Sequence, residues 1–145
     1  MEVISLSYNQ NQRREIIMSH YVNPINKKEL NGEYFEKHGQ ACADYLKFNF
    51  SIKDDKVVDL FFEGKGCAFM IASTDIFIEL VNGRKISEII EIINVYENFL
   101  SNGGDDKIEE KLGKLSIFKN VLDHPNRFYC ATMMSSALKE KIVNE

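Results

Sequence analysis

The sequence predicts an α+β fold in which several α-helices pack against a small antiparallel β-sheet of about three strands. A central segment alternates apolar and polar residues with the period of a strand, and the segments on both sides carry apolar residues at helical spacing. The chain is 145 residues long, a length typical of one domain with one hydrophobic core. We therefore expect a single domain that spans residues 1–145.

Composition excludes several classes of protein. The chain is 44% hydrophobic and 28% charged, which favours a packed core over a disordered chain. Its long apolar stretches, such as residues 68–72, are far shorter than the roughly 20 residues of a membrane-spanning helix. Lys and Arg number 18 against 22 Asp and Glu, without a basic stripe. We therefore expect neither nucleic acid nor a membrane as a partner.

The first residues and the cysteines indicate a reducing compartment. Residues 1–8 lack the basic opening and long apolar stretch of a secretory signal, so we expect a cytoplasmic protein. The chain has three cysteines, and an odd number in a reducing compartment is poorly explained by a disulfide framework.

One helix is predicted before the first turn-rich segment and a pair of strands after it. Apolar residues at helical spacing predict a first helix over residues 10–22, which ends shortly before Pro24. Residues 23–40 contain turn formers and are interpreted as an ordered loop. Alternation over residues 46–52, a polar turn and a run of branched and aromatic residues at 57–63 predict a β-hairpin.

The second half of the chain is predicted to be helical. Residues 68–81 predict a buried helix, and residues 88–100 a second helix with Ser87 as its N-cap and its isoleucines in the core. Residues 107–123 carry a weaker helical pattern. Pro125 is expected to impose an extended approach, and residues 131–143 are expected to form the last helix, which begins at Cys130.

All three cysteines lie at the ends of predicted elements. Cys42 precedes the first predicted strand, Cys67 precedes a helix, and Cys130 opens the last helix. Helix N-termini present unpaired N–H groups and a positive dipole end, which favour thiolate over thiol. In an extended chain, Asp44 would share a face with Cys42. Three sulfurs and one carboxylate oxygen form a set that Zn²⁺ accepts in tetrahedral geometry.

Spacing alone also permits a structural interpretation of these cysteines. The chain has no C-x-x-C pair, and scattered cysteines in a domain of this size are more often unrelated buried residues. The three histidines are interpreted as structural, with His20 as a cap of the first helix, His38 in a loop and His124 exposed. None of them is needed as a ligand.

Three motifs resemble one known family along nearly the whole chain. They are Gly64-Lys65-Gly66-Cys67-Ala68, Arg127-Phe128-Tyr129-Cys130-Ala131-Thr132 and His20-Tyr21-Val22-Asn23-Pro24-Ile25-Asn26. Their order and spacing are similar to the SufU branch of the IscU/NifU-type iron–sulfur assembly proteins, which have a SufE/NifU-like fold. This branch differs from IscU-type scaffolds by an insertion, here at about residues 101–124, and by Arg127-x-x-Cys130 without a histidine beside the cysteine.

The resemblance implies a zinc-dependent sulfurtransferase. It implies that Cys42, Asp44, Cys67 and Cys130 are the zinc ligands. Cys42 would accept persulfide sulfur from a cysteine desulfurase of the SufS type, with Arg127 close to the site, and pass it to downstream Suf scaffold proteins. Two alternatives stay open: a scaffold on which the same ligands assemble an iron–sulfur cluster, and a structural zinc domain that only docks partners.

Two features depart from the family pattern. Ala43 stands where the family usually has glycine between the cysteine and the aspartate, and alanine resists backbone angles that glycine permits. The orientation of the Asp44 side chain is therefore the feature of the family site that we expect this alanine to affect most. The helix after Cys67 also carries bulkier residues, at 69–71 and 75–77, than the small ones that the family favours.

Overall fold

The computed structural model describes residues 8–39, 43–123 and 125–143. The fold class is the predicted one, with six α-helices, one 3₁₀ helix and three strands among these residues. In chain order, the elements are α1 (Gln10–Val22), β1 (Phe35–His38), β2 (Tyr45–Lys53), β3 (Lys56–Lys65), α2 (Ala68–Val81), α3 (Ile86–Asn102), α4 (Asp106–Leu112), the 3₁₀ helix (Gly113–Asp123), α5 (Pro125–Ala131) and α6 (Met133–Val143).

The three strands form an antiparallel sheet in the order β1-β2-β3. The predicted hairpin is confirmed, and its turn residues Asp54 and Asp55 have φ values of 54° and 61°, as a two-residue type I′ turn requires. Phe48 of β2 pairs with Phe62 of β3, and both side chains are fully buried. This side of the sheet faces the helical layer.

Strand β1 corrects the prediction of a loop over residues 23–40. Its four residues are too few to carry an alternation signal, and their strand conformation depends on backbone pairing with β2. The Phe35 ring centroid lies 5.4 Å from that of Phe48, which ties the strand to the core. His38 is therefore a strand residue, and the position of Cys42 precedes the second strand instead of the first.

Helix α2 is the central element of the fold and has the predicted bounds. Residues 70–78 are all buried, as expected of a helix that is surrounded by other elements. It contacts α1, β3, α5, α6 and the 3₁₀ helix. No helix within the described residues is long and apolar enough to cross a membrane.

Helix α3 begins two residues before its predicted start. Lys85 is the N-cap residue and makes no side-chain cap, so the prediction of Ser87 as the cap is wrong. The hairpin turn determines this start instead, because the Ile86 N–H donates to the Asp55 carbonyl at 2.8 Å. The isoleucines face the core as predicted, and Ile89, Ile92 and Ile93 are buried.

Residues 125–143 form two helices where one helix was predicted. Helix α5 begins at Pro125, so the expected extended approach is wrong, because proline is well tolerated in the first turn of a helix. Cys130 lies within α5, and α6 starts at Met133. Residues 101–123 form the end of α3, α4 and the 3₁₀ helix, and the status of about 101–124 as an insertion stays a prediction.

A buried acid in the middle of α2 anchors α1. The Asp75 carboxylate accepts hydrogen bonds from His20 Nδ1 at 2.5 Å, from the Ile25 N–H at 3.1 Å, and from Asn26 through its backbone N–H at 2.7 Å and Nδ2 at 3.1 Å. Asp75 and His20 are both buried. His20 thus binds a neighbouring helix, and the prediction that it caps α1 is wrong. His124 lies outside the described residues.

Candidate metal centre

Three of the four predicted ligands converge in the structure. The ligand atoms of Asp44, Cys67 and Cys130 all lie within 4.8 Å of one another. Asp44 and Cys130 are buried, whereas Cys67 is partly exposed. Cys42 lies outside the described residues. The arrangement joins side chains from a strand start, a helix start and a C-terminal helix, and one edge remains open to solvent through Cys67.

The pose of Asp44 is determined by hydrogen bonds on both of its sides. Its Oδ1 accepts from the Cys67 N–H at 3.1 Å, and its backbone carbonyl accepts from the Gly39 N–H at 2.8 Å. With Ala43 beside it, the aspartate still points towards the two cysteines. Among the described residues, only the Cys67 N–H donates to this carboxylate.

Gly66 makes room for the Asp44 carboxylate. A Cβ atom at Gly66 would overlap with Oδ1 and Cγ of Asp44, closer than real Cβ atoms approach. The glycine also lies directly before Cys67, so one backbone segment supports two candidate ligands. From the sequence, this glycine is recognisable only as part of a turn, since the close approach depends on a residue 22 positions away in the chain.

We expect Gly66→Ala to weaken zinc binding by about 10–100-fold, the range typical of changes next to a metal ligand. The added methyl group displaces Asp44 and strains the approach to Cys67. Zinc affinity can be measured by competition with a chromogenic chelator. Gly103→Ala is the control: Gly103 has a φ of 78° and open space around it, so alanine there costs stability without touching the site. Equal zinc affinity in Gly66→Ala and the unaltered protein would refute this role.

Cys67 occupies the N-cap position of α2. Its backbone is extended and its side chain makes no capping hydrogen bond, while its carbonyl accepts from the Ile71 N–H at 3.1 Å. The sulfur is therefore not used by the helix and lies at the positive end of the helix dipole, which favours negative charge. This matches the sequence prediction for Cys67.

Cys130 is held by two buried hydroxyl groups. The Ser73 hydroxyl is shared between the Met70 carbonyl at 3.1 Å and the Cys130 carbonyl at 3.2 Å, and Tyr96 Oη donates to the Ala131 carbonyl at 2.9 Å. Burial holds the pKa of Tyr96 well above its usual range, so this hydroxyl stays protonated as a donor. Helices α2 and α3 thus fix the last turn of α5, and no sequence pattern predicted these two contacts.

Arg127 lies one helical turn before Cys130. Its guanidinium carbon is 4.6 Å from the centroid of the Phe69 ring in the first turn of α2, and its side chain is exposed. The stacking places a positive charge beside the element that begins at Cys67. Its predicted role near the reacting sulfur stays a prediction.

Sequence comparison connects this geometry with a family. The family model of the NifU-like N-terminal domain matches residues 12–140. The chain belongs to this family. The predicted resemblance is therefore confirmed. This NifU-like chain is 29% identical over 134 residues to the zinc-dependent sulfurtransferase SufU of Bacillus subtilis, which covers 91% of this chain and 90% of the relative.

Other relatives are named as scaffolds. The iron–sulfur cluster assembly scaffold protein IscU of Streptococcus pyogenes serotype M1 is 25% identical over 128 residues, with 88% of this chain and 80% of the relative covered. Among solved structures, a SufU described as a scaffold for the SUF system, from Fervidobacterium islandicum AW-1, superposes with a TM-score of 0.78 at 27% identity, covering 92% of this chain and 94% of that one. A NifU-like protein from Brucella abortus shares the fold, with a TM-score of 0.77 at 20% identity and coverage of 96% and 94%.

Proposed function

We propose that this chain is a zinc-dependent sulfurtransferase of iron–sulfur cluster assembly. In this proposal, Cys42 accepts persulfide sulfur from a SufS-type cysteine desulfurase and passes it to downstream Suf scaffold proteins in the cytoplasm. The observation that carries the proposal is the convergence of Asp44, Cys67 and Cys130. The similarity to a relative named as a zinc-dependent sulfurtransferase supports the same activity.

The donor set fits zinc. Thiolate sulfur and carboxylate oxygen are both ligands that Zn²⁺ accepts, usually four in a tetrahedron. Asp44, Cys67 and Cys130 supply three donors, and we propose Cys42 as the fourth. Cys42 is two residues from Asp44 in the chain, and two residues span at most about 7 Å. When bound, zinc keeps thiols deprotonated at neutral pH without changing its own redox state.

The proposed sulfur transfer is a thiol exchange at Cys42. The Cys42 thiolate attacks the outer sulfur of the desulfurase persulfide. A new S–S bond forms at Cys42, and the bond between the outer sulfur and the desulfurase cysteine breaks. The desulfurase cysteine leaves as a thiolate, so no external oxidant or reductant is required. Cys42 ends as a persulfide that carries one additional sulfur atom.

Arg127 is proposed as the residue that favours the anionic sulfur near the site. Its exposed guanidinium already stacks on Phe69 in the first turn of α2, so its positive charge lies beside this helix without a conformational change.

We further propose that the chain is one domain over residues 1–145, with about 101–124 as the insertion that separates this branch from IscU-type scaffolds. Residues 115–118 of this segment are buried.

The proposal predicts that Cys42→Ala loses sulfur acceptance completely. The protein is incubated with a cysteine desulfurase and cysteine, and mass spectrometry follows the gain of one sulfur atom and assigns it to a peptide. The unaltered protein should gain sulfur at Cys42 and accelerate the desulfurase. Equal acceleration by Cys42→Ala would show that Cys42 does not accept the sulfur.

The second candidate is a scaffold for an iron–sulfur cluster, which is favoured by the relatives named IscU. The same thiolate ligands can bind either an iron–sulfur cluster or zinc. Metal analysis of protein purified without reconstitution distinguishes the two functions. Stoichiometric zinc supports the transferase, whereas stoichiometric iron with a visible chromophore supports the scaffold. Zinc without sulfur acceptance would instead support the third alternative, a structural zinc domain that only docks partners.

A further inference from the structure

A groove of about 480 Å³ borders the candidate metal centre. It lies between α1, the first turn of α2 and the 3₁₀ helix. Ala68, which follows Cys67, and Arg127, one turn before Cys130, both line it. A molecule bound in this groove would therefore contact the two elements that supply the cysteine ligands.

The floor of the groove is apolar and its rim is basic. Phe69 and Phe118 form the floor as an edge-to-face pair with centroids 6.2 Å apart. Arg13, Arg14 and Arg127 line the rim, and no acidic residue lines the groove among the described residues. This local basic character contrasts with the net charge of −4 for the whole chain. The groove thus complements a ligand that carries both negative charge and apolar surface.

An exposed apolar stripe continues from the groove along α1. Met18 lines the groove, and Tyr21 and Val22 follow it on α1 at helical spacings of three and four residues, while Ile25 lies just beyond the end of this helix. Met18 is 45% exposed, whereas Val22 and Ile25 are each 68% exposed. Contiguous exposed apolar surface next to a groove marks an interaction site for another macromolecule.

We propose that this groove and stripe bind an acidic, apolar-bearing segment of the sulfur-donating desulfurase. The identity of the partner rests on the proposed function, whereas the chemistry of the segment follows from the three arginines and the aromatic floor. A small anion would use the arginines but leave the stripe exposed. A polypeptide segment covers both and places its protein next to the open edge of the metal centre.

Two of the three arginines are oriented before binding. Arg13 Nη1 donates to the Tyr8 carbonyl at 3.2 Å, and Arg127 stacks on Phe69. Arg14 is exposed and makes no hydrogen bond or ion pair with the described residues, so it can adjust to an incoming carboxylate. Preorganised side chains reduce the entropy cost of association.

The test compares two charge reversals in the full, zinc-loaded protein. Binding to the purified SufS-type desulfurase is measured calorimetrically at several salt concentrations. We expect Arg14→Glu to weaken binding about tenfold at low salt and to flatten its salt dependence. Lys53→Glu is the matched control, since Lys53 is exposed at the hairpin turn, at the opposite end of the sheet from Cys67. It should bind like the unaltered protein.

A second variant tests the apolar stripe. Met18→Ala should weaken binding several-fold at all salt concentrations, because it removes apolar area and no charge. If Arg14→Glu and Lys53→Glu bind the desulfurase equally well, the groove is not its docking site. If Arg14→Glu instead changes the oligomeric state in sedimentation, a second copy of the chain occupies the groove and the proposal is wrong.

These outcomes are separable from sulfur transfer. With saturating desulfurase, Arg14→Glu should still accept sulfur at Cys42 and retain its zinc. If no variant accepts sulfur but the binding defect persists, the docking surface stands and the proposed function fails. If sulfur is accepted normally and binding is unaffected, the proposed function stands and the docking surface fails.

Discussion

Replacing Asp75 by alanine is expected to lower the free energy of unfolding by about 3–5 kcal/mol, because several buried or half-buried hydrogen-bond donors lose their acceptor at once. The carboxylate accepts hydrogen bonds from His20, Ile25 and Asn26, and each of these donors loses a partner in a buried or half-buried place. An unpaired buried donor costs about 1–3 kcal/mol by itself. For a chain of this length the loss corresponds to a fall in melting temperature of about 10 °C or more.

Thermal and urea denaturation of the zinc-free protein would measure this effect independently of the metal. Glu79→Ala is the control on the same helix, one turn later, where the carboxylate is exposed and lies 3.9 Å from Lys114 Nζ. Exposed ion pairs contribute about 0–1 kcal/mol. If Asp75→Ala loses no more stability than Glu79→Ala, the buried cluster does not hold α1 to α2.

A double-mutant cycle assigns the part that depends on His20. The variants His20→Ala, Asp75→Ala and their combination give a coupling energy that isolates this pair from the backbone contacts of Ile25 and Asn26. We expect strong coupling, because the two side chains are 2.5 Å apart and buried.

Elements whose apolar residues repeat with a clear helical or strand period could be predicted from the sequence. The bounds of α1 and α2 agree with the prediction, since long apolar patterns are local properties of the chain. Strand β1 could not be predicted, because four residues adopt it only through pairing with β2. The start of α3 was missed for the same reason: a bond from Ile86 to the hairpin turn replaces the local cap that Ser87 suggested.

The candidate site was predictable to the level of residue type. Cysteines at element ends and a neighbouring aspartate indicated a common site, and Asp44, Cys67 and Cys130 do lie together. The supporting contacts were not predictable. Ser73 and Tyr96 reach the α5 backbone from other helices, and nothing in their local sequence distinguishes them from ordinary core residues. Asp75 likewise has a structural role as the anchor of α1 that its local sequence does not indicate.

Under the proposed function, Cys67→Ser is expected to remove most of the stabilisation that bound zinc provides. Serine replaces a thiolate ligand by a hydroxyl group that stays protonated, and we expect zinc affinity to fall by at least about a hundredfold, more than for a change beside a ligand. At a fixed zinc concentration, a hundredfold loss of affinity removes about 2.7 kcal/mol of stabilisation. Cys67 is partly exposed and makes no capping bond, whereas serine is a favoured N-cap residue, so the substitution keeps α2 intact and can stabilise its first turn.

The metal-free proteins provide the control for this prediction. If Cys67 acts through the metal, Cys67→Ser unfolds in a strong chelator at the same temperature as the unaltered protein or slightly above it, because serine can cap α2, and it gains far less stability when zinc is added. A fold that depends on the thiol itself would instead make Cys67→Ser the less stable protein in the chelator. The first pattern follows from a site that links three distant parts of the chain, the start of β2, the start of α2 and the end of α5, because a metal shared among them stabilises only the arrangement in which they meet.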